Sequence, residues 1–296
     1  MAASIDFDLG LEIGGDPRRA PIGVFDSGVG GLTVLRALRD ALPHEPLLYL
    51  GDTARLPYGS KSAATVVRYA EQAARVLVAR GVKLLVIACN TASAVALDHL
   101  SEVFRPLPVI GVVDPGAEAA CVASTSGEII VLATEGTVRG GAYERAIRAR
   151  RPTARVVQTP CALFVALAEE GWTAGPIAEA IAHRYLDGVL REHPAADCLV
   201  LGCTHFPVLR AAISAVVGPR LALVDSAETT ARVVAAELAA RNLLHPASTG
   251  QPACRFLATD APARFARVGA VFMGMTGQGT TSDAALTAEA VELVDL

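Results

Sequence analysis

The sequence predicts an α/β protein of two similar domains with largely parallel sheets, in pseudo-twofold arrangement around a cleft. Three observations carry this expectation. Short apolar runs alternate with helical patterns, as where parallel strands are covered on both faces. The 296 residues are 52% hydrophobic and 19% charged, which suits such sheets and leaves room for two domains. Two runs end in one device, Leu84-Leu85-Val86-Ile87-Ala88-Cys89-Asn90-Thr91 and Cys198-Leu199-Val200-Leu201-Gly202-Cys203-Thr204-His205.

Taken in order, residues 1–20 form an amino-terminal extension without a catalytic reading, expected to be loosely held. Pro21 to Phe25 reads as a strand running into Asp26-Ser27-Gly28-Val29-Gly30-Gly31-Leu32, with a helix from Thr33 to Ala41. Glycines at that junction let backbone amides approach a ligand, although a plain turn explains them equally well. Their spacing is not the dinucleotide fingerprint. Pro46 to Leu50 is a strand, followed by Gly51-Asp52-Thr53-Ala54-Arg55-Leu56-Pro57-Tyr58-Gly59-Ser60. Pro57 and Gly59 flank the Tyr58 hydroxyl and stiffen its presentation. Ser62 to Arg80 is an amphipathic helix. Next come the strand ending at Cys89, a helix from Ala92 to Phe104, a strand at Val109 to Val112 and a break at Asp114-Pro115-Gly116.

A second series then begins. The strand Glu128 to Ala133 leads into Thr134-Glu135-Gly136-Thr137, a small polar turn answering Asp26-Ser27-Gly28. A strand at Arg155 to Gln158 and helices at Leu163 to Ala168 and Pro176 to Arg191 precede the strand ending at Cys203. A helix from Phe206 to Val217 follows. Leu221 to Val224 is a strand, and Asp225-Ser226-Ala227-Glu228 has the spacing of a capped helix start for Thr229 to Asn242. The strand Cys254 to Ala258 is expected to rejoin the first sheet. The implied division is a discontinuous first domain of residues 21–114 plus 225–296, with 115–224 as the second.

Cys89 and Cys203 thus fall at the carboxyl ends of strands, where open α/β sheets place ligands. Helix-start amides favour an anion, so a thiol there is expected to ionise more readily. Buried free cysteine is more often an inert small hydrophobe, and Cys121, Cys161, Cys198 and Cys254 are read that way. Cys89 and Cys203 differ because Asn90-Thr91 and Thr204-His205 supply polar groups beside them. Zinc fits less well, since Cys203 and His205 have no second ligand pair at structural spacing.

Several classes of function are disfavoured. Net charge is −4, and no basic cluster exceeds Arg148-Ala149-Arg150-Arg151, which argues against direct nucleic-acid binding. The first seventeen residues carry Asp6, Asp8, Glu12 and Asp16 and no Lys or Arg, which reads against a signal or transit peptide. No apolar run reaches membrane-spanning length. The 6 cysteines are unclustered and point to a reducing cytoplasm.

Two opposed thiols suit a carbon acid that loses a proton to one sulfur and regains one from the other. Such sites often rely on pyridoxal bound to a lysine. The lysines here are Lys61, expected in solvent, and Lys83, at the wrong end of the Cys89 strand. A cofactor-free route is therefore favoured. Asp26, Asp52, Glu169 and His205 are candidate acids and bases beside the sulfurs; His205 can also be read as a helix-start hydrogen-bonding residue, but its neighbour Cys203 favours the functional reading.

In Phe25-Asp26-Ser27-Gly28-Val29-Gly30-Gly31-Leu32, Gly51-Asp52-Thr53-Ala54-Arg55, Pro57-Tyr58-Gly59-Ser60, Ala88-Cys89-Asn90-Thr91-Ala92, Gly202-Cys203-Thr204-His205 and Asp225-Ser226-Ala227, the chain resembles the cofactor-independent glutamate racemases of the aspartate/glutamate racemase superfamily. The resemblance spans about residues 21 to 258. It implies that L- and D-glutamate are the substrates and that Cys89 and Cys203 are the proton donor/acceptors. Asp26 with Asp52 would assist the first thiol, and Glu169 with His205 the second. Asp26, Ser27, Tyr58, Gly59, Asn90, Thr91, Thr134, Thr204 and His205 would contact substrate. No metal or organic cofactor is implied. The implied role is cytoplasmic supply of D-glutamate for peptidoglycan, and the partners to test are a second copy in a homodimer, a cell-wall-precursor activator and a topoisomerase. Gly140 departs from a usual serine, and Ala162 and Ala166 from prolines around the Glu169 helix. An aspartate racemase, or a cleft protein that binds an anion without turnover, is the competing reading.

Overall fold

Parallel pairing builds both sheets of this protein, a computed structural model that describes residues 16–246, 252–275 and 286–296. The first series is β1 (Ile22–Asp26), α1 (Leu32–Ala41), β2 (Leu47–Gly51), α2 (Ala63–Ala79), β3 (Leu84–Ile87), α3 (Asn90–Val103) and β4 (Val109–Gly111). After α4 (Val113–Ala123) come β5 (Glu128–Ala133), α5 (Glu135–Gly140), α6 (Ala142–Arg150), β6 (Arg155–Pro160), α7 (Ala162–Glu169) and α8 (Pro176–Glu192). Then follow β7 (Cys198–Gly202), α9 (Arg210–Val217), β8 (Ala222–Asp225), α10 (Ser226–Ala240), β9 (Cys254–Ala258), α11 (Pro262–Phe272) and β10 (Val291–Leu293).

The first sheet has the order β10-β9-β2-β1-β3-β4 and the second β6-β5-β7-β8. The block β2-β1-β3-β4 therefore has the same topology as β6-β5-β7-β8, and the repeat seen in sequence pattern is a repeat of strand order. In each sheet the chain reverses direction of growth at the central pair, β1/β3 and β5/β7. Ligands of open α/β sheets bind outside the carboxyl ends at such a switch point. Asp26 and Cys89 lie at the first, Thr134 and Cys203 at the second.

Burial explains why these runs are strands. Every residue of β1, β2, β3, β5 and β7 is buried, the two-face covering that parallel sheets require. One apolar cluster includes Ile22 and Val24 of β1, Leu199 and Leu201 of β7, and Val234 and Leu238 of α10, so the halves share a core. Helix α10 packs on both α1 and α4. Its start is capped as the sequence predicted, with Asp225 accepting from the Ala227 amide at 3.1 Å.

Some expectations need correction. Asp114-Pro115-Gly116 is not a break but lies in the first turns of α4, where proline's missing N–H costs little. Residues 138–150, without an assigned element in the sequence reading, lie largely in α5 and α6, and α11 and β10 extend the fold beyond Ala258. The segment Phe206 to Val217 is a 3-10 turn over Phe206–Leu209 followed by α9. Residues 1–15 of the extension lie outside the described residues, but Pro17–Arg19 form a 3-10 turn capped by Asp16. Lys83 fixes that turn, donating to the Arg18 carbonyl at 2.6 Å while paired with Glu45 in the interior at 2.5 Å. Among the described residues, no helix is long and apolar enough to cross a membrane.

Candidate active site

Cys89 is the N-cap of α3. Its sulfur accepts from the Ala92 amide at 3.4 Å, and its thiol lies 3.5 Å from the Ser27 hydroxyl. The expectation of easy ionisation is overturned here. Burial, then the neighbouring Asp26 carboxylate, pushes the Cys89 thiol up to about 12, and the amide and hydroxyl only partly offset them. Burial raises Cys161 and Cys198 to about 12 as well, so a raised thiol alone does not mark a functional cysteine. What distinguishes Cys89 is its polar surroundings.

Among the described residues, those surroundings contain two buried atoms without partners. Asp26 accepts the Gly28 amide at 2.9 Å through Oδ2, while Oδ1 has no donor. Asn90 accepts through Oδ1 from the Tyr143 hydroxyl at 2.7 Å, while Nδ2 has no acceptor. Burial raises the Asp26 carboxyl, against the pull of His205 and of amides in the glycine loop. Orphaned buried polar atoms are costly and point to a missing partner. The two are of opposite kind, one acceptor and one donor.

The second wall is charged differently. Cys203 Sγ lies 3.9 Å from His205 Nδ1, and His205 Nε2 meets Glu169 Oε1 at 3.1 Å. Burial opposes the imidazolium, yet its bonds to Cys203 and Glu169 prevail and raise it to about 10. Burial likewise opposes the Glu169 carboxylate, but His205 and Arg264 hold it down at about 2. Arg264, on α11, donates to Glu169 Oε2 at 2.7 Å, and Phe272 of α11 packs edge-on against the His205 ring. Glu169 thus stands in a defined chain of contacts from His205 to Arg264.

The walls meet through small residues and hydroxyls. A Cβ on Gly30 would lie 2.4 Å from both His205 Nδ1 and Thr204 Oγ1, so only glycine lets the Asp26 loop approach Cys203. Thr33 donates across the halves to the Thr204 carbonyl at 3.2 Å. Thr91 lies 3.0 Å from Thr134 and 3.2 Å from Thr137, hydroxyl to hydroxyl, and Thr134 caps α5. Gly59 abuts Thr134 on the other side.

Asp52 is not bonded to Cys89. Its oxygens accept from Arg55 at 2.6 Å, from Thr259 at 3.0 Å and, in a short bond, from Tyr58. It anchors the Tyr58-Gly59 loop. Lys61, expected in solvent, is half-buried and lines a cavity of about 440 Å³ with Thr91, Gly136, Arg139 and Gly140. Sequence reading missed Tyr143 and Arg264. Nothing local marks them, because Tyr143 is 53 residues from Asn90 and Arg264 is 95 from Glu169.

Two α/β halves with a cysteine at each switch point define a two-walled site of the racemase type. The chain belongs to the Asp/Glu/hydantoin racemase family, whose model matches residues 32–234. It is 51% identical to the glutamate racemase of Geobacter metallireducens over 86% of this chain and 92% of that one. With the Syntrophus aciditrophicus glutamate racemase it shares 47% identity over 89% and 96%. The crystal structure of the Francisella tularensis glutamate racemase in complex with D-glutamate matches with a TM-score of 0.82 at 35% identity, covering 94% of this chain and 98% of that one. The Thermus thermophilus glutamate racemase in complex with β-chloro-D-alanine matches with a TM-score of 0.81 at 43% identity, covering 95% and 99%. The Escherichia coli glutamate racemase in complex with L-glutamate and the activator UDP-MurNAc-ala matches with a TM-score of 0.66 at 30% identity, covering 86% and 95%.

Proposed function

We propose that this chain interconverts L- and D-glutamate by moving the α-proton between Cys203 and Cys89, with no cofactor. The observation that carries this reading is the pair of orphaned atoms beside Cys89. Asp26 Oδ1 needs a donor and Asn90 Nδ2 an acceptor, the complement of an α-ammonium and an α-carboxylate. Ser27, Thr91, Thr134, Thr204 and the Tyr58-Gly59 loop complete the polar lining. In the L-to-D direction Cys203 acts as thiolate base, with the imidazolium of His205 beside it. Cys89, which holds its proton at neutral pH, delivers that proton to the opposite face. The sulfurs exchange roles in reverse. Asp26 and His205 stand beside the thiols, Glu169 acts through His205, and Asp52 acts through the Tyr58 loop.

Glutamate is favoured over aspartate because relatives 51% and 47% identical are named glutamate racemases, whereas the likeness to an aspartate racemase is 16% identical and shows the fold alone. The division into lobes 21–114 plus 225–296 and 115–224 belongs to the same reading, as do a cytoplasmic location and supply of D-glutamate to peptidoglycan. The activator seen with the Escherichia coli protein makes a cell-wall precursor the first effector to assay here. A homodimer and a topoisomerase partner rest on family resemblance.

The test is a chiral assay of the purified protein with each enantiomer of glutamate and aspartate, without pyridoxal phosphate or metal. Turnover of both glutamate enantiomers is expected. Activity lost on chelation and restored by zinc, or a pyridoxal absorbance band abolished by changing Lys61, overturns the cofactor-free route.

A further inference from the structure

We infer that Tyr143 is a positioning residue for this reaction, whose hydroxyl locks the amide of Asn90 with its donor end free for the substrate carboxylate. The inference rests on the reading of Asn90 as a substrate contact.

An asparagine amide has two ends of nearly equal shape and opposite hydrogen-bonding sense. Left free, it can present either end to a ligand. The Tyr143 hydroxyl removes that freedom by donating to Asn90 Oδ1 at 2.7 Å. If the amide turned over, the hydroxyl would lose this acceptor and have to turn its proton toward Ser226, and an oxygen would face the anion. Both penalties act in one direction, because unmet buried polar groups are costly.

Packing fixes the tyrosine in turn. Its ring is fully buried in a cluster with Val113, Ala117, Val131, Ile147 and Val200. A Cβ on Gly202 would sit 3.0 Å from its Cε2, and one on Gly116 would sit 3.2 Å from its hydroxyl oxygen. Two glycines thus make room for the ring. Tyr143 lies on α6, among the elements that pack on the second sheet, whereas Asn90 begins the helix after β3 of the first. The bond that aligns the amide therefore runs from one half to the other.

The experiment is steady-state kinetics of Tyr143→Phe with both glutamate enantiomers. Phenylalanine keeps the ring and removes only the hydroxyl. KM should rise about tenfold for each enantiomer while kcat stays within about twofold, as expected for one lost hydrogen bond to a binding group. An unchanged KM, or a fall in kcat alone, overturns the inference. Asn90→Ala should raise KM at least as much, and Asn90→Ala/Tyr143→Phe should behave like Asn90→Ala. Multiplying effects would show that Tyr143 acts on its own and overturn the inference, leaving Asn90 as a contact. A normal KM in Asn90→Ala would instead remove the substrate-contact reading and the inference together. Should Tyr143→Phe fail to fold, Gly116→Ala crowds the same hydroxyl from α4. It should give a smaller KM rise at unchanged kcat, and wild-type kinetics there would count against the inference.

Discussion

The two walls of the site share a topology and differ in charge. Each cysteine follows the third strand of the block β2-β1-β3-β4 or β6-β5-β7-β8, at a switch point. Burial and the Asp26 carboxyl push Cys89 up to about 12, whereas Cys203 faces an imidazolium that Cys203 itself and Glu169 hold at about 10. Repeating a fold repeats where the sulfur is placed. It does not repeat the field around it, which depends on the side chains each half sets beside its sulfur, Asp26 at Cys89 and His205 with Glu169 at Cys203. Arg264 and Phe272, on α11 after the repeat, shape the Cys203 wall alone. Under the proposed mechanism the asymmetry has a use, since the empty site keeps a proton on one side and a cation beside the other sulfur.

The largest effects should come from breaking either sulfur. Cys89→Ser or Cys203→Ser should reduce racemisation by about 10³-fold or more, the upper range for a lost general acid or base. β-Chloroalanine, which needs only one deprotonation to eliminate chloride, then separates the walls. Cys89→Ser should eliminate from the L form only, and Cys203→Ser from the D form only. Equal processing of both forms by both variants would end the one-thiol-per-face model.

A step smaller, Gly30→Ala tests whether the walls must touch. The added methyl collides with His205 and Thr204, so kcat/KM should fall about 100-fold, the scale of a small misplacement of reacting groups. Near-normal activity would mean that the Cys203 wall tolerates displacement.

Glu169→Gln sharpens the electrostatic contrast. The wild-type kcat/KM profile should be bell-shaped, with limits belonging to the coupled groups. Removing the carboxylate lowers the His205 pKa, so the alkaline limb should move to lower pH and activity at pH 9 should fall more than at pH 7. A limb that stays in place would detach Glu169 from the chemistry.

The smallest effect concerns stability. His205 is raised from its ordinary 6.5 to about 10, so its contribution is complete below about pH 6.5 and is lost as pH rises through 10. Glu169 is lowered from 4.5 to about 2, so its contribution is complete above about pH 4.5 and is lost as pH falls through 2. The Tm difference between wild type and Glu169→Gln should therefore peak between about pH 4.5 and 6.5. A flat difference from pH 3 to 10 would show that the pair contributes nothing to folding.

By itself the sequence determined the strands, because β1, β3, β5 and β7 have apolar cores and run into glycine, cysteine or small polar residues. It also determined that Cys89 and Cys203 occupy equivalent junctions, and it singled out Asn90, Thr91, Thr204 and His205 by adjacency to those junctions. Local pattern failed at Asp114-Pro115-Gly116, where helix-breaking residues sit in a first turn that tolerates them. It failed for α11 because nothing near Pro262 marks its contact with a residue 95 positions away. Only the tertiary structure decided which oxygens and nitrogens of the site have no partner, that Asp52 serves the Tyr58 loop, and that Cys89 is raised and not lowered. Those outcomes depend on burial and on charges brought together from distant segments, and neither quantity is a property of local sequence.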